Sequence, residues 1–163
     1  MSTYPQKGFS LVELLIVVAI IIILASIAIP NLMASRRAAN ESSAQSALRT
    51  IHAAQGTYQS TKGNGTFADT LAKLGGESLI DSVLAVADGT ARSGYNYDIH
   101  DVSGSGPVAL FAAKAIPSVT SGLGQTGDRR YGITEVGVLR GDTNITVDPN
   151  TRNLILGMAA FNP

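Results

Sequence analysis

The chain has 163 residues, a length that suits one ordinary domain. Lysine plus arginine and aspartate plus glutamate number 12 each, so no basic surface is indicated and no nucleic-acid partner is predicted. Cysteine is absent, which excludes disulfide bonds and thiolate chemistry, and the 17 glycines with only 15% charged residues favour a polar, loop-rich domain.

The first predicted element is an apolar helix over residues 9–29. Its 21 residues include one charged side chain, and as a helix they would span roughly 31 Å, about the hydrocarbon thickness of a bilayer. Residues 16–24 are apolar on every face, whereas a soluble amphipathic helix would carry a polar stripe. We therefore expect this segment to be buried all round, in lipid or among other helices.

An apolar segment of this kind has two ordinary explanations, a secretory signal peptide and a plain transmembrane anchor. A secretory signal peptide has a shorter apolar stretch followed by a small-residue cleavage site, whereas here the run is longer and is followed by Pro30 and Asn31. A plain transmembrane anchor fits the length. Neither explanation accounts for an acid, Glu13, close to the start of the helix.

Glu13 is open to two interpretations from the residues alone. Ser10 and Glu13 match the capping box S-x-x-E, and a carboxylate in the first turn interacts with the helix dipole by about 0.3–1 kcal/mol. Alternatively, an ionisable group in a membrane helix costs about 3 kcal/mol and is retained because it has a partner. The local sequence leaves the two interpretations balanced.

The N-terminal sequence resembles the class III signal of type IV prepilins and type II secretion pseudopilins. Gly8 precedes the junction, Phe9 follows it, Glu13 comes four residues later, and Pro30 stands where the family places its helix-disrupting proline. The strong resemblance covers residues 7–58, and a looser one covers the rest. It implies that a prepilin peptidase cleaves between Gly8 and Phe9 and methylates the new N-terminus of Phe9.

The resemblance also implies a partner for Glu13. In the family, this acid pairs with the N-terminal amine of a neighbouring subunit during filament assembly. Cleavage would create such an amine at Phe9, with an ordinary pKa of about 8. Along one helix Glu13 lies only about 6 Å from Phe9, so a neighbour shifted along the axis could present its amine. Because burial desolvates both charges, we expect the pair to set register more than stability.

The long helix is predicted to continue beyond Pro30 as an amphipathic half over residues 31–62. Pro30 is expected to kink or locally open it, since proline lacks an N–H and clashes with the preceding turn. The helix should end near residues 60–62, before two glycines. Arg36 and Arg37 are expected on a solvated or intersubunit face, with lipid phosphates as the alternative. The apolar positions of this amphipathic half recur every three or four residues: Ala44, Leu48, Ile51, Ala54 and Tyr58.

The second half of the chain is predicted to be loop and strand. The resemblance makes residues 63–94 the αβ-loop, in which two short helices are expected, and residues 95–163 an antiparallel β-sheet with a C-terminal loop. Patterns rich in apolar and β-branched residues predict the strands: 95–99, 108–116, 131–139 as one strand or two, and 153–156 at an edge. The loop helices are expected over residues 66–75 and 77–87.

These elements predict an α+β fold, the pilin fold. A leader peptide, residues 1–8, precedes a long N-terminal α-helix whose membrane-spanning half, residues 9–30, forms the core of the filament. The amphipathic half packs on the C-terminal antiparallel β-sheet.

Two parts of the sequence have features of ligand-binding sites. Residues 122–127 match G-x-G-x-x-G, but no βαβ unit surrounds them, so a flexible hairpin loop is favoured over a dinucleotide site. Asp142 and Asp148 are weak calcium candidates, because some pseudopilins bind calcium through a late loop. The spacing is not that of an EF-hand, and a turn is the simpler interpretation.

No catalytic site is predicted. His52 and His100 lack partners at metal-ligand spacing, and His52 is expected to contact a neighbouring subunit. No nucleophile–base set or carboxylate pair can be argued, so the chain is not predicted to be an enzyme and no cofactor is expected.

The function implied by the resemblance is structural. It is that of a pilin, expected to be a major pilin, held in the bacterial inner membrane as a precursor and then assembled into an extracellular filament that supports adhesion, motility or DNA uptake. Size and the lack of a convincing calcium loop favour a pilin over a pseudopilin. The implied partners are further copies of the chain, prepilin peptidase, the pilus assembly machinery and minor pilins. The alternative is the major pseudopilin of a type II secretion system.

Overall fold

The computed structural model describes residues 8–85 and 91–161 of the chain. The predicted leader therefore lies outside the described residues except for Gly8, as does the end of the second predicted loop helix. The chain divides into two compact units, Met1–Ser35 and Arg36–Pro163. Helix α1, Leu11–Thr61, contributes to both units.

Helix α1 ends where the sequence predicted and has no break at Pro30. It stops at Thr61, and the N–H groups of Lys62 and Gly63 both bond to the Tyr58 carbonyl at 2.9 and 2.7 Å. Pro30 lies inside the helix, so the proline removes one donor without interrupting the element. Opening of the helix at Pro30 in a filament stays a prediction.

The amphipathic half of α1 supplies one wall of the core. Four of the five predicted apolar positions are buried, and Tyr58 is partly buried. Gln55 is also fully buried, which the apolar pattern did not predict. The residues packed against this face come mainly from three strands: Tyr95, Tyr97, Ile99, Phe111, Ala113, Ala115, Tyr131 and Ile133.

The sheet is an antiparallel meander of five strands in the order β1-β2-β3-β4-β5. The strands are β1 (Tyr95–Ser103), β2 (Leu110–Pro117), β3 (Arg130–Thr134), β4 (Arg140–Asp142) and β5 (Ala159–Ala160). A long helix packed on an antiparallel sheet confirms the predicted α+β pilin fold. The connection between β1 and β2 contains a short 3-10 turn, Gly106–Val108.

The pleat of β1 and β2 separates an inner face from an outer face. Tyr97 pairs with Ala115 and both are buried toward α1, whereas the next pair, Asp98 and Lys114, lies on the opposite face. The two faces therefore differ in chemistry: the inner one is aromatic and aliphatic, and the outer one carries charges.

A C-terminal helix covers part of the outer face. Helix α3, Arg152–Gly157, buries Ile155 against Ala112 and Met158. A Cβ atom on Gly132 would lie only 2.8–2.9 Å from three Ile155 side-chain atoms. Glycine at this position of β3 therefore permits the close approach of α3.

One strand prediction needs correction. Residues 153–156 were expected to be an edge strand but lie within α3, whose first turn is capped by Thr151 accepting from the Leu154 N–H at 3.4 Å. The last strand, β5, follows that helix. For residues 131–139 the alternative of two strands parted near residues 135–137 is the better description: β3 ends at Thr134, the chain turns through Gly137 at φ +77°, and β4 begins at Arg140.

The αβ-loop contains one of the two predicted helices. Helix α2, Leu71–Gly76, falls largely within the first predicted range, and the Thr70 side chain accepts from the Lys73 N–H at its N-terminus. The second prediction, residues 77–87, is wrong over its described part, since residues 77–85 form turns and bends.

Candidate assembly site

The predicted cleavage junction lies in exposed, irregular backbone just before α1. Gly8 has no atom within 4 Å of the position a Cβ would take, and the Phe9 side chain is 79% exposed. The two residues that flank the junction are therefore exposed in the described structure. The roles of Gly8 and Phe9 stay predictions.

Glu13 caps its own helix. The Ser10 N–H donates to Glu13 Oε2 at 3.0 Å, and the Val12 N–H donates to Ser10 Oγ at 3.3 Å. The reciprocal arrangement confirms the predicted capping box, with the hydroxyl bonded one residue earlier than in the usual form. Because Oε2 carries the capping bond, Oε1 is the oxygen through which a cation could approach.

The apolar segment has no covering from the described part of the chain. Its 18-residue window has a mean hydropathy of 3.1 and none of it is buried. Sixteen large apolar side chains between Phe9 and Leu32 are 44–79% exposed. Such a continuous surface far exceeds what monomeric soluble proteins leave in water, so lipid or other helices must cover it. Polar atoms are satisfied locally, as Ser26 Oγ donates to the Ile23 carbonyl at 2.7 Å.

The N-terminal segment matches a known family model. Residues 4–29 match the model described as the prokaryotic N-terminal methylation motif. The chain is 66% identical over 35 residues to the type IV wide pilus major component PilA4 of Thermus thermophilus, which covers 22% of this chain and 27% of the relative. The chain is therefore similar to type IV pilins and carries their N-terminal methylation motif.

Two further relatives are named as components of a pilus and of a secretion system. The chain is 46% identical over 57 residues to the type IV major pilin protein PilA of Myxococcus xanthus, covering 35% of this chain and 26% of the relative. It is 36% identical over 58 residues to the type II secretion system core protein G of Pectobacterium carotovorum. This match covers 36% of this chain and 37% of the relative. The matches thus span between 26% and 37% of each relative's length. No solved structure matches the chain.

The three relatives are named as components of pili or of a secretion system, and the role of this chain as a structural subunit stays a prediction. The G-x-G-x-x-G sequence lies in the loop that joins the antiparallel strands β2 and β3. No helix follows it, so the hairpin-loop interpretation is confirmed and the dinucleotide fingerprint lacks its βαβ context.

The start of the second unit holds this loop through three side chains of α1. Arg37 lies 3.5 Å from the Asp128 carboxylate, and Asn40 Nδ2 donates to the Thr126 carbonyl at 2.9 Å. Glu41 Oε1 accepts from the Asp128 N–H at 2.7 Å. Arg37 therefore pairs within its own chain. The sequence missed this set, because its members are 86 or more residues apart and no local pattern links them.

The structure places Arg36 at the surface and His52 against its own chain. Arg36 is exposed, and its contact with lipid or a neighbour stays a prediction. His52 was expected to face another subunit, but its Nε2 lies 3.4 Å from the Glu135 carbonyl. A Cβ on Gly137 would lie 3.0 Å from the His52 ring, so the histidine packs against the β3–β4 turn of its own chain.

The two calcium candidates are each held by a cation. Asp142 Oδ2 accepts from Arg130 Nη2 at 2.7 Å, a bond that lowers the pKa of Asp142, and Asp148 accepts from Lys114 Nζ at 2.8 Å. Within residues 8–85 and 91–161, no group of three or more histidine, cysteine, aspartate or glutamate side chains is arranged to hold a metal. Calcium binding at these aspartates would have to displace the arginine and the lysine.

Lys114 and His100 form a charged cluster on the outer face of the sheet. Lys114 Nζ lies 3.2 Å from Asp98 and 2.8 Å from Asp148, so it links β1 to the segment that precedes α3. His100 is only 13% exposed, and neither ring nitrogen has a hydrogen-bond partner in the described structure. Burial, followed by the nearby Lys114 charge, lowers the pKa of His100, while Asp98, Asp101 and Asp148 oppose the shift.

This cluster predicts a pH-dependent stability. The folded chain favours neutral His100, so its contribution to stability is fully present above the ordinary pKa of 6.5 and is lost as the pH falls below it. We expect the urea midpoint of the full chain in detergent to fall on acidification through that range, measured by tyrosine fluorescence. His100→Gln should flatten this part of the profile. An unchanged profile in that variant would assign the pH dependence to other groups.

Proposed function

We propose that this chain is the major subunit of a type IV pilus, stored in the bacterial inner membrane and then polymerised through its apolar helix into an extracellular filament. The uncovered apolar segment headed by Phe9 and Glu13 is the observation that carries the proposal. Two relatives whose names describe major components of type IV pili support it, as does the match of residues 4–29 to the methylation motif. Copies of the chain, the pilus assembly machinery and minor pilins are the proposed partners.

The proposal includes processing by prepilin peptidase between Gly8 and Phe9, followed by methylation of Phe9. The exposure of the junction and the match to the methylation motif support it. Intact-mass measurement of filament subunits should find a chain that begins at Phe9 and carries one extra methyl group. Filaments built from subunits that retain residues 1–8 would contradict the proposal.

Assembly is proposed to depend on a charge pair between subunits. Removal of residues 1–8 turns the Phe9 nitrogen into an ammonium, while the Ser10 N–H that caps Glu13 is unchanged by the cut. Glu13 can therefore keep its helix cap on Oε2 and receive the amine of a neighbouring subunit on Oε1. In an apolar surrounding, an unpaired carboxylate is costly, so the pair favours the one axial register in which both charges meet.

The second candidate function is that of a major pseudopilin in a type II secretion system. It is favoured by the match to a secretion core protein, which covers a larger share of that relative than the pilin matches do. Deletion of the gene separates the two. Loss of surface fibres with normal release of secreted proteins is expected for a pilin. Loss of secretion with fibres intact would replace the pilin proposal by the pseudopilin one.

A further inference from the structure

Three stretches of the chain match N-x-[ST], the acceptor sequence for N-linked glycans. They begin at Asn40, Asn64 and Asn144. A tripeptide this short often occurs by chance, so the structure around each asparagine decides which of them an enzyme could use. A usable acceptor needs an exposed side chain on a loop and an amide nitrogen without a partner. It also needs the hydroxyl two residues later close to that amide, since the acceptor sequence is defined by both groups.

Asn40 and Asn64 each lack one of these features. Asn40 lies within α1, and its Nδ2 donates to the Thr126 carbonyl at 2.9 Å. Asn64 is exposed, but its backbone is in the left-handed region at φ +49°. The hydroxyl of Thr66 donates to the Gly63 carbonyl at 2.6 Å. The amide nitrogen is therefore engaged at the first match, and the hydroxyl is bonded to the backbone at the second.

Asn144 has all of these features. It lies in the irregular segment that follows β4, and both Asn144 and Thr146 are exposed. Thr146 Oγ1 donates to Asn144 Oδ1 at 3.0 Å, so the hydroxyl lies against the amide of its own acceptor sequence. This bond uses the oxygen of the amide, and Nδ2 makes no hydrogen bond within residues 8–85 and 91–161. The nitrogen that would receive a sugar is therefore available on an exposed side chain.

Asp142 holds the start of this acceptor sequence in a turn. Its Oδ1 accepts from the Asn144 N–H at 3.1 Å, the bond that aspartate commonly makes with the residue two positions later. Its Oδ2 is held by Arg130, and the side chain remains 35% exposed. A carboxylate beside the acceptor gives an enzyme a charged group to recognise. Ala38 and Lys62 stand at the corresponding place before the other two asparagines.

We propose that Asn144 is a site of N-linked glycosylation. The donor is a glycan carried on a lipid diphosphate. Asn144 Nδ2 forms a bond to the anomeric carbon of the first sugar, the bond from that carbon to the diphosphate oxygen breaks, and Nδ2 passes one proton to a base of the transferase. The lipid diphosphate leaves, and the glycan stays on the loop. The inference rests on the proposed function, because the loop must reach the outer side of the inner membrane.

The mass of the subunit purified from the bacterium that makes it tests the proposal. We expect a chain that begins at Phe9 and carries one glycan, which mass spectrometry of its peptides places on Asn144. Asn144→Gln should lose the added mass. Thr146→Val should lose it as well, because valine keeps the shape of threonine without the hydroxyl, whereas Thr146→Ser should keep it. Asn64→Gln is the matched control: it alters an exposed asparagine of the same tripeptide and should leave the glycan in place.

The start of the chain and the added mass together separate failure of the inference from failure of the proposed function. A chain that begins at Phe9 with no added mass, or with the sugar on Asn40 or Asn64, would overturn the inference alone. A glycan that persists in Asn144→Gln but is lost in Thr146→Val would show transfer to the threonine hydroxyl and would also overturn it. A chain that keeps residues 1–8 and has no glycan would overturn both the inference and the proposed processing.

Discussion

Cells that carry Glu13→Gln are expected to lose filaments while their precursor still reaches the membrane and is cleaved. Glutamine keeps the shape of the side chain and can accept the Ser10 N–H bond, so the helix cap survives. Only the negative charge is removed. The Phe9 ammonium of a neighbour would then be buried without a counter-ion, a loss of about 2–5 kcal/mol for a truncated charge pair. That range corresponds to a fall in subunit affinity of more than tenfold.

The matched control is Ser10→Ala, which removes the hydroxyl that caps the Val12 N–H and leaves the Glu13 charge in place. Loss of an N-cap side chain costs about 1 kcal/mol. We expect filaments to persist in this variant at reduced yield. Fibre yield by electron microscopy measures filament assembly, and the mass of the subunit measures cleavage of the precursor.

The pair of variants decides between the two interpretations of Glu13. Normal fibres in Glu13→Gln would show that the carboxylate serves as a cap and that assembly does not use its charge. If Ser10→Ala lost fibres as completely as Glu13→Gln, the common cause would be a weakened first turn of the helix and not the loss of the Glu13 charge. The capping box and the charge pair use different oxygens of one side chain, so both roles can hold together.

The N-terminal features were predictable from sequence because their physics is local. An unbroken apolar run, a capping box and a helix-ending pair of glycines each lie within a few consecutive residues. The apolar positions of the amphipathic half follow from helical period alone, and four of the five are buried. Fold class followed from the order of a long helix and several short strands.

Features that depend on distant contacts were missed or wrong. Residues 154–156 are apolar, and the strand over residues 153–156 was predicted from them. The local signal that was overlooked is Thr151, which caps the helix by accepting from the Leu154 N–H. The engagement of Glu41 with Asp128 has no local signature, since it joins residues 87 apart. Gln55 was missed because a polar residue on an apolar stripe shows its partner only in the folded chain.

Gln55→Leu is expected to lower the free energy of unfolding by about 3 kcal/mol, because two buried backbone groups would lose their partners. Gln55 is fully buried on α1, and its Nε2 donates to the Ala68 carbonyl while its Oε1 accepts from the Ala68 N–H, both at 2.8 Å. These two bonds tie the αβ-loop to α1. Leucine fills the space but satisfies neither group.

Gln59→Leu provides the comparison one helical turn later. Its Nε2 donates to the carbonyls of Gly65 and Gly106 at 3.1 Å each, but the site is only partly buried, so water can replace the lost donor. We expect a loss of only about 1 kcal/mol for the two bonds together, because water can supply a donor to both carbonyls. Urea unfolding of the full chain in detergent, followed by tyrosine fluorescence, measures both variants. Equal losses would contradict the argument, since burial is what separates the two glutamines.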